Sequence, residues 1–251
     1  GTTTIAHGTI GALDERIGFL PFERATLDPS GTRDCLVRAN WALYVDNFLE
    51  GYHLPHVHPG LSRILDYRAY DIELFPWYSL QHSPLRNNDG IYGDGEAWYY
   101  FVYPNVMLNV MPGRLQSNRV LPLGAERCRV EFDYYYAQDP AARARIERDH
   151  EFSDEVQHED MAICEAVQRG LDSGLYEAGR LSPRRESGVW HFHELLRTEQ
   201  VDLDYLVRYT NAAWLVIQDA GAKDDGLFAR DNDGKPLSWD KTDSAVARAD
   251  R

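Results

Sequence analysis

The sequence predicts an α+β fold: an antiparallel sheet from the middle of the chain, with helices before and after it. Three observations predict it. Residues from about 66 to 136 hold six short runs rich in β-branched and aromatic residues, broken by Gly, Pro and Asn. The breaks between these runs are short, which suits sequential antiparallel neighbours. A long segment of helical periodicity then runs from roughly 140 to 172.

Taken in order, residues 1–34 form a polar entry segment punctuated by Gly and Pro, with one candidate strand or short helix. "TRDCLVRAN" predicts a short strand. In "WALYVDNFLEGYH", Trp41, Val45, Phe48 and Tyr52 recur at spacings of 4, 3 and 4, one face of a helix. Pro55 should end that helix, because the residue before a proline is pushed out of the α region. Pro59 and Gly60 keep the following stretch irregular. The six strand candidates are "YRAYDIELF", "WYSLQHS", "AWYYFVYP", "VMLNVMP", "LQSNRVLPL" and "RCRVEFDYYYA". After the long helix, "GVWHFHELLRT" and "LDYLVRYTNAAWLVIQ" predict two more, and residues 219–251 form a polar tail with little periodicity.

Composition bounds the function. A chain of 251 residues with 43% hydrophobic residues, 15 Tyr, 9 Phe and 6 Trp can bury a sizeable core. A net charge of −14 disfavours nucleic acid and anionic membranes as partners. No apolar run is long enough to cross a bilayer, and the first residues lack the basic-then-apolar layout of a secretory signal. Cys35, Cys128 and Cys164 are far apart, without C-x-x-C or C-x-H spacing. That pattern suits a reduced cytoplasmic protein and leaves no way to hold an iron–sulfur cluster or a structural zinc through these cysteines. No G-x-G-x-x-G, P-loop or nucleophile elbow is present.

Histidines carry the sharper signal. "DNFLEGYHLPHVHPGL", residues 46–61, contains three of the chain's nine. Downstream, Phe152, Val156, Ile163, Val167 and Leu171 form an apolar stripe at spacings of 4, 7, 4 and 4, and the position filling the gap of 7 is Asp160. An acid on that face needs a cation, a hydrogen-bond network or a metal. Two imidazoles plus one carboxylate with open positions is the facial arrangement of non-haem iron(II) sites that bind oxygen, although zinc accepts the same ligand types. Spacing alone permits either His53 with His56 or His53 with His58. His191 and His193, two apart on a helix, point about 200° away from each other and do not form a metal face.

The string "ANWALYVDNFLEGYHLPHVHPGL" resembles the catalytic-domain signature of Rieske-type ring-hydroxylating oxygenase alpha subunits. "EDMAICEAVQRGL" resembles the segment that supplies the third iron ligand. "FVYPNVMLNVMP" and "GRLSPRRESGVWHFHELL" are similar to segments of a branch whose monooxygenases act on quaternary amines. The resemblance spans roughly residues 35 to 199. It implies His53, His58 and Asp160 as ligands of a mononuclear Fe(II), Asn47 near the iron, and no role for His56. Glu50 matches the acid that links one subunit's iron ligand to the Rieske centre of the next. The fold it implies is the helix-grip arrangement shared with START-type domains, a sheet wrapped around a long helix, with Tyr103, Met107 and Asn109 lining a cavity over the iron.

On this reading residues 35–218 are the catalytic domain, and the Rieske domain is absent from the chain. The electrons come from a Rieske or ferredoxin-type partner, without which the chain does not turn over, and the assembly is a homotrimer. The substrate is an aromatic or small organic molecule oxidised with O2 by mono- or dioxygenation, as in aromatic hydrocarbon catabolism. A metal-free START-like module for an apolar ligand is the alternative.

Overall fold

The computed structural model describes residues 16–17, 25–86, 91–137, 139–176 and 179–198. Two short strands, β1 (Ala25–Leu27) and β2 (Arg33–Val37), lead into helix α1 (Trp41–Phe48) and the short helices α2 (Leu54–Val57) and α3 (Pro59–Ile64). Six strands follow: β3 (Asp71–Phe75), β4 (Tyr78–Pro84), β5 (Glu96–Val102), β6 (Val106–Met111), β7 (Arg114–Pro122) and β8 (Cys128–Ala137). The long helix α4 (Arg143–Asp172) and α5 (Ser187–Thr198) complete the described elements. All six predicted strands form, as an antiparallel meander in the order β1-β8-β7-β6-β5-β4-β3, with β2 also on β8. The predicted helix "LDYLVRYTNAAWLVIQ" and the tail 219–251 lie outside the described residues. Among those described, no helix is long and apolar enough to cross a membrane.

Both faces of the sheet are covered, so its central strand β6 is buried at every position and shows no apolar–polar alternation. Tyr78, Leu80, Tyr100, Leu108, Val110 and Leu115 form the core on one face. The other face carries α1, α4 and α5. There a core of Val45, Leu49, Phe101, Met107, Phe132 and Phe192 fills one end, and Leu61, Ile64, Leu65, Ala97 and Met111 fill the other. Between these plugs runs a row of cross-strand partners with a different chemistry: Gln81, Tyr99, Asn109, Gln116 and Tyr134. A polar row inside a sheet face costs stability unless its groups find partners, and this one borders the cavity described below.

Two helix expectations are corrected. Helix α1 ends at Phe48, well before Pro55, and Tyr52 is exposed instead of lying on the buried face, which is formed by Tyr44, Val45 and Leu49. The cause is local. The Glu50 carboxylate accepts the backbone N–H groups of Tyr52 and His53, offering them an alternative to helical bonding. Pro55 then sits in the first turn of α2, where a missing N–H costs nothing. On α4 the buried line is Asp149, Ser153, Gln157, Cys164 and Gln168, while Val167 and Leu171 of the predicted stripe are exposed.

Helix α5 is held against α1 by a close approach. A Cβ on Gly188 would lie 2.6 Å from the carbonyl oxygen of Leu49, a backbone atom that cannot swing aside. Gly188→Ala is expected to destabilise the fold by about 1–3 kcal/mol, the usual cost of overpacking, read as a lowered midpoint of chemical unfolding with an unchanged denaturant slope.

Candidate metal centre and cavity

His53 and His58 each occupy the residue immediately before a short helix, α2 and α3. Pro59 pre-sets the first helical position after His58. The irregular backbone between them turns both imidazoles inward: His58 is 1% exposed at its side chain and His53 13%. Asp160 arrives from α4. Its Oδ1 lies 3.0 Å from His58 Nε2 and 3.6 Å from His53 Nε2, and the two Nε2 atoms are 3.1 Å apart. Among the described residues, His53, His58 and Asp160 form the group whose ligand atoms could hold one metal ion. His56, the other histidine that spacing allowed, is exposed.

The outer contacts define which lone pairs point inward. His53 Nδ1 donates to Glu50 Oε1 at 2.5 Å, and His58 Nδ1 donates to Glu159 Oε2 at 2.7 Å. A carboxylate only accepts, so each neutral ring carries its hydrogen on Nδ1 and presents a bare lone pair at Nε2. Asn47 Nδ2 donates to Asp160 Oδ1 at 2.6 Å, fixing the third donor. Three electron pairs therefore converge on one point, an arrangement that repels itself unless a cation or a proton sits between them. Without a cation, burial pulls the His58 pKa down, but the bonds to Asp160 and Glu159 outweigh it and leave it raised. Donors held at about 2.0–2.2 Å around one ion at near-right angles sit about 3 Å apart, which the three separations match at two edges. The residues fit a metal.

Beside this cluster lies a cavity of about 70 Å³. Tyr44, Phe48, Tyr70 and Tyr99 supply aromatic surface, Glu50 and Asp160 carboxylates, and Gln81, Asn109 and Gln157 amides. Of the three cavity candidates, Asn109 lies in the cavity lining, whereas Tyr103 and Met107 lie elsewhere. Met107 shares Asn109's side of β6 but lies opposite Phe101, inside the apolar plug. Tyr103 packs in the same plug, against Trp77 and Phe192. Sequence reasoning also missed Glu159, along with Tyr99, Gln81 and Gln157. The available signal was polar residues at inward positions of otherwise apolar strands. On α5, His191 is half-buried, while His193 is exposed and bonded to Asp46 at 2.9 Å.

With this geometry in place, the comparisons are specific. Residues 20–199 match the family described as ring hydroxylating alpha subunit (catalytic domain). The chloroplastic choline monooxygenase of Arabidopsis thaliana is 37% identical over 202 residues, covering 77% of this chain and 45% of that protein. The carnitine monooxygenase oxygenase subunit of Escherichia coli K12 is 29% identical over 172 residues, covering 63% of this chain and 46% of that protein. A quaternary ammonium Rieske monooxygenase of solved structure, described in terms of carnitine oxidation and inter-subunit electron transfer, shares the fold with a TM-score of 0.67 at 24% identity, over 79% of this chain and 55% of that one. The chain thus spans about half the length of the relatives it matches. On the matched residues and the fold together, the chain belongs to the ring-hydroxylating oxygenase alpha-subunit family and carries its catalytic domain.

Proposed function

We propose that this chain is the oxygen-activating half of a Rieske-type monooxygenase that hydroxylates a small quaternary ammonium compound. The observation that carries the reading is the convergence of His53 Nε2, His58 Nε2 and Asp160 Oδ1, with both Nδ1 atoms engaged by carboxylates. These three residues would hold a ferrous ion, which when bound would supply oxygen activation.

The chain's own residues do the rest. Glu50 and Glu159 orient the imidazoles, fix the hydrogen of each ring on Nδ1 and make Nε2 a stronger donor to a metal. Asn47 holds Asp160 in place. The rings of Tyr44, Phe48, Tyr70 and Tyr99 offer π faces to a cation that has no N–H to donate, and the nearby carboxylates complement its charge. Leu54, Leu61 and Val156 add apolar surface to the cavity lining. Such a lining, with its row of amides, suits a polar cation better than an apolar aromatic ring, and the relatives named above are monooxygenases of choline and carnitine. We therefore take monooxygenation over aromatic dioxygenation.

Activation of O2 in this chemistry needs two electrons, and one ferrous ion supplies one. A Rieske-type donor would have to supply the remainder; Glu50, whose carboxylate sits against His53 Nδ1 at the cavity edge, is the residue positioned to link such a donor to the metal ligand, and a homotrimer would bring a neighbour's donor there. The cysteines are all free, in keeping with a reducing, cytoplasmic setting.

Metal analysis tests the reading. Protein purified without chelator should contain iron in proportion to chain, removable by a ferrous chelator and restored by ferrous salt under anaerobic conditions. Stoichiometric zinc with no iron uptake would overturn it.

A further inference from the structure

Resting on the reading of His53, His58 and Asp160 as a metal site, we propose that Tyr70 is a positioning residue for that metal. Its ring is the platform on which the turn carrying Glu50 and His53 is seated, and Gly51 is the point of contact. Gly51 is buried, and a Cβ built on it would lie 2.6 Å from Cε1 and 2.9 Å from Cζ of Tyr70. Its φ lies outside the left-handed region, so the backbone there accepts any residue, and glycine serves only to make room. The turn and the ring therefore meet backbone to face, closer than any side chain would allow.

The ring is pinned at both ends. Its hydroxyl donates to Gln81 Oε1 at 2.6 Å, and Gln81 Nε2 donates to the carbonyl of Phe48, the last residue of α1, at 2.6 Å. At the backbone end, Arg185 donates to the carbonyls of Tyr70 at 3.2 Å and Tyr67 at 3.4 Å. Its guanidinium lies 4.3 Å from the centre of the Tyr67 ring, and its own carbonyl accepts the Gly51 N–H at 3.4 Å. Strand β4, the end of α1 and the approach to α5 thus close on one turn. What the platform fixes is Glu50. One carboxylate oxygen accepts the backbone N–H groups of Tyr52 and His53, and the other meets His53 Nδ1 at 2.5 Å. A turn tied in this way moves as a unit, so displacing Gly51 carries His53 Nε2 away from His58 Nε2, 3.1 Å distant. His58 and Asp160 have holders of their own in Glu159 and Asn47. The platform acts on one ligand of the three, and ligands need placement to within about 0.5 Å.

The test is anaerobic titration of the whole chain with ferrous salt, and separately with cobalt(II), whose visible absorption reports ligand number and geometry. Gly51→Ala should weaken ferrous binding by about 10- to 100-fold and alter the cobalt spectrum, while the metal-free variant keeps its far-UV circular dichroism. Tyr70→Leu clears the space the new methyl needs. In that background Gly51→Ala should bind ferrous iron within about three-fold of Tyr70→Leu alone. A parent-like affinity and cobalt spectrum in Gly51→Ala would overturn the platform and leave the three-ligand reading intact. So would an equal loss from Gly51→Ala in both backgrounds, since the obstruction would then lie elsewhere. Should Gly51→Ala not fold, Tyr70→Phe decides. It keeps the ring and releases it from Gln81, and ferrous binding should weaken by about 2- to 10-fold; unchanged binding would overturn the platform. A parent chain that takes up no ferrous iron would overturn the platform together with the metal site on which it rests.

Discussion

Replacing either His53 or Asp160 with alanine should empty the chain of ferrous iron, lowering its affinity by more than the roughly 10- to 100-fold lost when only an outer hydrogen-bond partner of a ligand is removed. Each substitution deletes one of three electron pairs that meet within 3.6 Å of one another. The remaining two donors have no protein group positioned to replace the third: Glu50 and Glu159 are already bound to the far nitrogens of the imidazoles. Glu159→Ala should fall between, losing about 10- to 100-fold, because the His58 ring loses the partner that fixes its tautomer. His56→Ala should retain iron fully, since that ring is exposed and faces away from the cluster. Anaerobic titration with ferrous salt, with far-UV circular dichroism to confirm folding, distinguishes these classes. Loss at His56 equal to that at His53 would mean that the metal is held elsewhere on this segment.

The sheet was legible because its strands are short, aromatic and separated by turn-forming residues, and sequential antiparallel pairing follows from short connections. The metal site was legible in its residue types but not in its pairing. Spacing admitted His56, and only the two short helices led by Pro55 and Pro59, which place His53 and His58 at their entrances, exclude it. The long helix was read correctly at the start of its apolar stripe and misread at the end: Phe152 and Val156 pack against the core, whereas Val167 and Leu171 are exposed. An apolar stripe normally marks the buried face, yet α4 covers a polar cavity, so its most buried line carries Asp149, Ser153 and Gln157. Asp160 was still found, because it falls at the border of both lines, three residues after Gln157 and four after Val156. What no pattern could supply was the partner of each buried polar group. Glu159 reaches His58 across 101 positions of sequence, and that pairing exists only after the helix has docked.

Asp149→Ala should be the most destabilising single change in the fold, costing about 3–5 kcal/mol, the penalty for leaving a buried charge without its partner. Asp149 is wholly buried on α4, and Arg114, 5% exposed, reaches it from β7 with Nη1 to Oδ1 at 2.9 Å. The hydroxyls of Tyr92 and Tyr136 also donate to this carboxylate, and the guanidinium lies over the Tyr92 ring at 5.4 Å. Desolvation works against the Arg114 charge, but Asp149 and the surrounding tyrosines hold it in place and raise its pKa. Removing Asp149 leaves that cation in an apolar pocket it cannot leave. Arg114→Met together with Asp149→Leu should recover most of the loss, since a buried pair replaced by apolar side chains of similar volume is often neutral. Urea unfolding of the two single variants and the double variant would show this as a strong positive coupling. If Asp149→Ala alone were nearly neutral, the pair would be solvated, contrary to its burial. The pair also bears on the metal centre. Asp149 and Asp160 are eleven residues apart, about three helical turns, so both look inward from one face of α4. Clamping the first to β7 sets the rotation of the helix that delivers the second to His53 and His58.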